Sequence, residues 1–125
     1  MTTIFAYENS YKDGVKELIV PIQREEFGID ITYEDQPDLA DIPGFYQKGK
    51  GGFWVALDGD VVIGTIALVD IGNEQVALRK MFVAEAYRGR QYGVAQKLLD
   101  YVVAYAQSVD IILSLDLMLE VRLMR

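Results

Sequence analysis

Two periodicities divide the middle of the chain. Between 53 and 83 the apolar residues come in compact β-rich runs, FWVAL, VVIGTIALV and QVALRKMFV, interrupted by DGD and by DIGNE at 70–74. Runs of that length bounded by glycine and aspartate predict strands joined by turns, and Asp58-Gly59 is the dipeptide favoured by a tight type I′ hairpin. Gly64, inside the second run, marks a bulge or a close backbone approach. From about 93 to 108 the spacing changes. Ala95, Leu98, Leu99, Val102, Val103 and Ala106 recur at helical intervals, which predicts an amphipathic helix. Past 110 it changes again: Ile111, Leu113, Leu115, Leu117, Leu119, Val121 and Leu123 alternate with positions that include Ser114, Asp116, Glu120 and Arg122. Strict alternation predicts a long strand over 111–123.

The first fifty residues are less regular. A short strand is expected over 3–7. Ser10 and Asp13 have the spacing of a helix cap, and Val15, Leu18, Ile19 and Ile22 follow at helical intervals. Pro21 should kink or end that helix, with Gly28 as its stop. Segment 34–48, EDQPDLADIPGFYQK, reads as an acidic loop holding a short helix that starts near Pro37. Phe53 and Trp54, adjacent in a strand, should pack on opposite faces.

Composition narrows the classes of function. At 125 residues a single domain over 1–125 is expected, and 51% apolar with 25% charged residues is globular composition. A net charge of −7 argues against a nucleic-acid partner. Yet Arg79, Lys80, Arg88, Arg90 and Lys97 fall in one short span, which suits a small anionic ligand on an acidic protein. There is no cysteine and no histidine, so disulfides, Cys or His metal sites and His- or Cys-based triads are excluded. The opening MTTIFAYENS lacks the pattern of a signal peptide, and no apolar run approaches the roughly 20 residues that span a bilayer. A soluble cytoplasmic protein without membrane contact is the expectation.

The candidate chemistry lies at 87–95, YRGRQYGVA, between a strand and a helix. A helix start presents backbone N–H groups without intrahelical partners and the positive end of the helix dipole. Glycine lets an anion approach the backbone, and arginine pairs with phosphate oxygens. A Walker loop would need Gly-Lys-Ser/Thr, but Val94 and Ala95 follow Gly93; a dinucleotide fingerprint needs three spaced glycines, and only Gly89 and Gly93 are present. Two readings remain, a surface turn and a phosphate or pyrophosphate cradle over 90–95.

The order of strand, kinked helix, acidic loop, Asp-Gly hairpin, third strand, Arg-x-x-Gly-x-Ala and helix resembles the GNAT superfamily of acyl-CoA N-acyltransferases. The resemblance covers 3–115 and is most specific at Arg90-Gln-Tyr-Gly93-Val-Ala95 with Leu98-Leu99, helped by YRG and MFV upstream. It departs from the usual spacing between Val83 and Gly93 by about two residues; starting from Arg88 restores the spacing but puts Gln91 where glycine is expected. The implied fold is α/β of the α+β kind, a mixed, mostly antiparallel sheet flanked by helices. The implied ligand is acetyl-CoA, with its pyrophosphate on Arg88, Arg90, Gln91, Tyr92, Gly93, Val94 and Ala95 and its pantetheine arm along Met81, Phe82 and Val83. No metal is implied. The implied reaction is direct attack by a small-molecule or protein amine, with the Val83 backbone N–H stabilising the oxyanion.

A carboxylate base is needed to take the amine's proton. Glu25, Glu26, Glu74 and Asp70 qualify by type, and Glu26 is preferred because the first helix's exit borders the acceptor site in this family. The family normally continues past its fifth strand into a helix, which often supplies a tyrosine acid, and two further strands. The tail here does not match that pattern, so the domain is expected to be incomplete at its C-terminus. A long alternating strand with nothing after it leaves an apolar face uncovered, which predicts a homodimer through 111–123. The competing readings are a non-catalytic acyl-CoA-binding remnant and a small β-rich assembly module whose glycine loop is only structural.

Overall fold

The computed structural model describes residues 2–113. In chain order it contains β1 (Thr2–Ala6), α1 (Lys12–Pro21), α2 (Pro37–Ala40), α3 (Ile42–Phe45), β2 (Gly52–Asp58), β3 (Val61–Gly72), β4 (Gln75–Val83), α4 (Val94–Ser108) and β5 (Ile112–Leu113). The strands form one sheet in the order β1-β2-β3-β4-β5. The first four are antiparallel neighbours, while β5 runs parallel to β4 and pairs with it at Gln75↔Ile112 and Val76↔Leu113.

β2 and β3 read as apolar runs without alternation because both of their faces are covered. Val15, Leu18 and Ile19 of α1 and Ile22 just after it join Leu39, Ile42, Tyr46, Phe53, Val55 and Leu57 on one face. Leu98, Val102 and Ala106 of α4 join Trp54, Ala56, Ile63, Ile66 and Leu68 on the other. Phe53 and Trp54 therefore do point to opposite sides. Each fully buried leucine or isoleucine here contributes about 1.5–3 kcal/mol.

Gly64 is the point of closest packing beneath α4. A Cβ there would lie 3.1 Å from Leu98 Cδ1 and 3.2 Å from Val94 Cγ1. It is also next to a register shift, since Ala56 pairs with Gly64 and Leu57 with Val62. Both senses of the sequence signal at Gly64 are realised.

Local chemistry differs from expectation at Ser10 and in the Asp-Gly turn, whereas Pro21 ends its helix as expected. Ser10 does not cap α1: it lies in a 3-10 turn (Asn9–Tyr11), and Tyr11 flanks the helix without a side-chain cap. Pro21 is the last residue of α1, and the chain continues as a π turn (Ile22–Glu26) closed by the Phe27 amide on the Ile22 carbonyl at 3.2 Å. Proline brings no N–H to the ladder, which gives way to the wider pitch just after it. The Asp-Gly hairpin forms, but its central residues are Gly59 and Asp60, and of these only Gly59 has positive φ, at 61°. A type I′ turn needs both. That signature falls instead on the next hairpin, where Asn73 and Glu74 have φ of 54° and 60°.

β4 contains a bulge that nothing in its sequence announced. Thr65 pairs with Phe82 and Ala67 with Arg79, so Lys80 and Met81 together oppose Ile66. Lys80 takes φ of 50°, and the Thr65 hydroxyl donates to its carbonyl at 2.8 Å. A bulge increases local twist and re-aims the strand that follows. Of the long strand expected over 111–123, the part beyond 113 lies outside the described residues, and the dimer expectation with it.

Candidate functional site

A cavity of about 460 Å³ opens where β4 hands over to α4. The end of β4 supplies Met81 and Val83, the following loop supplies Tyr87, Arg88, Gly89, Arg90 and Gly93, and the first turns of α4 supply Val94, Ala95, Gln96 and Leu99. Of the residues singled out in the sequence, Met81, Val83, Arg88, Arg90, Gly93, Val94 and Ala95 are brought together around this cavity. Phe82 points to the other face and packs on Phe27, ring centres 6.2 Å apart. Gln91 and Tyr92 do not line the cavity: the Gln91 amide oxygen folds toward Gly89, and the Tyr92 ring packs on Tyr87 at 5.5 Å. Tyr87, Gly89, Gln96 and Leu99 also line the cavity, though the sequence reading did not place them there. Leu99 was visible in the helical spacing from Ala95, whereas Tyr87 carried no signal beyond the YRG triplet.

The start of α4 is a set of unused donors. Gly93, in the left-handed region at φ 62°, makes the sharp entry, and no side chain caps the helix. The first backbone bond of the helix is Lys97 N–H to the Gly93 carbonyl at 3.0 Å. The amides of Val94, Ala95 and Gln96 precede it and have no partner among the described residues. Added to the dipole of a fifteen-residue helix, they give the concavity beside the Arg90 side chain a polarity that suits an anion.

The β4 side of the cavity has its own polarity. The Ala84 amide donates to the Ile63 carbonyl at 2.8 Å, so its ladder bond faces β3. Alternation then turns the N–H and C=O of Val83 to the opposite edge. Its carbonyl accepts Arg88 Nε at 2.9 Å there. Its N–H faces the same open side, where β5 pairs with β4 only at Gln75 and Val76 among the described residues.

Each of the three Arg88 nitrogens makes one hydrogen bond. Besides Val83, Arg88 donates from both terminal nitrogens to Glu26, at 2.6 Å to Oε1 and 3.0 Å to Oε2. This fork lowers the Glu26 pKa below its ordinary 4.5, chiefly through the hydrogen bonds, and raises that of Arg88. Glu26 is therefore held charged with both oxygens occupied. The other carboxylates considered as bases lie elsewhere. Glu25 borders a separate cleft with Arg24 and Gly28, while Asp70 and Glu74 sit at the far end of β4 beside Gly49 and Lys50. Tyr87 donates to Asp58, and that bond raises the phenol's pKa, keeping it protonated.

The acidic loop is bound up internally. Asp35 holds the Thr32 turn, Asp41 caps α3 through the Gly44 amide, and Asp38 takes the Tyr46 hydroxyl at 2.6 Å and Lys80 Nζ at 3.4 Å. Lys80 also donates to Gln36 Oε1 at 2.9 Å, and Gln36 and Gln23 exchange reciprocal bonds. Among the described residues no group of His, Cys, Asp or Glu is arranged to hold a metal, and no helix is long and apolar enough to cross a membrane.

An uncapped helix start thus lies next to a strand edge left unpaired among the described residues, a shape and polarity that suit an extended ligand with an anionic end. Known proteins share this architecture. An acetyltransferase of the GNAT family from Staphylococcus aureus superposes with a TM-score of 0.86 at 36% identity, covering 98% of this chain and 79% of that one. A predicted acetyltransferase from Clostridium acetobutylicum, solved with acetyl-CoA, shares the fold with a TM-score of 0.70 at 17% identity, over 91% of this chain and 79% of its own. The rat N-acetyltransferase family 8 member 2 is 35% identical over 77 residues, which is 58% of this chain. The chain spans 33% of that relative's length. The model of the acetyltransferase (GNAT) family matches residues 16–122. The chain belongs to the GNAT acetyltransferase family.

Proposed function

We propose that this chain binds acetyl-CoA and transfers the acetyl group to a primary amine by direct attack. The observation that carries the reading is the uncapped start of α4, opening into the same cavity as the edge of β4 that is unpaired among the described residues. The pyrophosphate takes the amides of Val94, Ala95 and Gln96 and the guanidinium of Arg90. The pantetheine arm lies along Met81 and Val83, as an added strand would. The Val83 N–H then donates to the carbonyl oxygen as it becomes negative in the tetrahedral intermediate. The amine nitrogen forms the new C–N bond, the C–S bond breaks, and the proton lost by nitrogen balances the one that restores the CoA thiol.

Small-molecule and protein amines are both candidate acceptors. Calorimetry with acetyl-CoA tests the donor site. Saturable binding to the native protein and its loss in Gly93→Glu are expected, because the substitution places a carboxylate and a strained backbone in the cradle. No saturable binding removes the reading. Thiol release from acetyl-CoA across an amine panel tests transfer; tight binding with no turnover on any amine favours the alternative, a non-catalytic acyl-CoA-binding domain. The homodimer through 111–123 remains part of the proposal, and a monomer by light scattering at micromolar concentration defeats it.

A further inference from the structure

We propose that Glu26 and Arg88 form a clamp that fixes the end of β4 for the donor's arm, and that both act as positioning residues rather than as base and pyrophosphate ligand. The inference rests on the donor site proposed above.

Three observations carry it. Arg88 reaches the last outward-facing carbonyl of β4, that of Val83, and so fixes the strand where it leaves the sheet. Its terminal nitrogens meet both Glu26 oxygens in the two-pronged geometry that makes arginine–carboxylate pairs strong and directional. The pair also joins residues 62 apart in sequence, tying the exit of the first helix to the cavity's edge.

Charge argues the same way. A pyrophosphate that captured Arg88 would have to displace the fork and leave the Glu26 carboxylate unpaired beside another anion. With the fork intact, Glu26 is neutralised and Arg90 is the loop arginine without a partner among the described residues. The clamp also occupies the Val83 carbonyl. The arm can then reach only the Val83 N–H at that position, which sets where along β4 the thioester comes to rest.

Calorimetry with two ligands separates the roles. One is CoA. The other is adenosine 3′-phosphate 5′-diphosphate, which keeps the pyrophosphate and lacks the pantetheine arm. Both side chains are 31% exposed, so folding should survive substitution, and thermal midpoints verify this. In Glu26→Ala, Arg88→Gln and the double variant, the CoA dissociation constant is expected to rise by the same factor, about tenfold. Binding of the truncated ligand should not change. Arg88→Lys, which keeps the charge but cannot form the fork, should behave like Arg88→Gln.

Equal weakening of both ligands in Arg88→Gln would make Arg88 a pyrophosphate ligand and overturn the clamp. So would unchanged or tighter CoA binding in Glu26→Ala. If the native protein binds neither ligand, the donor site itself is wrong, an outcome distinct from a clamp that fails in a protein that binds.

Discussion

On the α1 face of β4, Gln23, Gln36, Asp38, Tyr46 and Lys80 hydrogen-bond to one another and are mostly buried. On the α4 face, the amides of Val94, Ala95 and Gln96 and the guanidinium of Arg90 have no partner within the described residues, and they line a cavity. The same strand separates polar groups that satisfy each other from polar groups that wait. Among the described residues no buried side-chain nitrogen or oxygen lacks a hydrogen bond. The first set therefore serves stability, and its removal leaves orphans at a cost of about 1–3 kcal/mol each. The second set contributes little to folding because water satisfies it until a ligand does.

The contrast can be broken most severely at Gly64, which lies under α4. Gly64→Val overpacks against Leu98 and Val94 and is expected to cost about 1–3 kcal/mol. Because it displaces the helix start, acetyl-CoA affinity should fall as well; urea denaturation and calorimetry read the two effects. Stability loss with intact affinity would show that the cradle tolerates movement of α4.

Gln36→Ala tests the satisfied face. It strips partners from Gln23 and Lys80 and should destabilise by about 1–3 kcal/mol, while CoA affinity stays at the native value. A large affinity change with little destabilisation would mean that the network reads the donor directly. Arg90→Ala tests the waiting face with the opposite signature. A CoA dissociation constant raised about tenfold (roughly 1.4 kcal/mol) is expected. Unfolding should stay within about 0.5 kcal/mol of native. Unchanged CoA binding would remove Arg90 from the site.

The smallest effect is in pH. The folded pKa of Glu26 is lowered, so the folded state binds fewer protons there than the unfolded chain does. The pair's stabilisation is thus present above the ordinary value of 4.5 and is lost as pH falls through the folded value. Asp58 and Asp70 are lowered in the same direction, by the Tyr87 hydroxyl and by the Lys50 and Gly72 amides respectively, and lose stabilisation in the same acid window. The informative quantity is therefore the difference between native protein and Glu26→Ala across that window. A difference that does not shrink on acidification contradicts the ion-pair account.

Legibility in the sequence followed the range of the forces. QVALRKMFV became β4 with the bounds it suggested, and the helix expected over 93–108 is Val94–Ser108, because both patterns report burial along one short segment. Gly93 was legible because a left-handed entry to a helix favours glycine. The bulge was not: Lys80 adopts positive φ without glycine, so no residue type advertised it. The occupation of Arg88 was equally hidden, since its partner lies 62 residues away and no local pattern encodes that distance. From sequence alone Arg88 and Arg90 looked alike. Long-range pairing distinguishes them, since Arg88 is held by Glu26 and Arg90 has no partner among the described residues.

The lysine at the β4 bulge has a consequence beyond shape. Its backbone aims Met81 and Val83 into the cavity, while its ammonium is held from the opposite face by Asp38 and Gln36. The two faces of the sheet thus meet at Lys80 as well as at the Glu26–Arg88 pair, and any coupling between them is reciprocal by linkage. If a molecule bound on the α1 face altered the hold on Lys80 and moved β4 with it, a ligand in the cavity would feel that change in its affinity. A ligand bound first in the cavity would, by the same linkage, change affinity on the α1 face by the same factor.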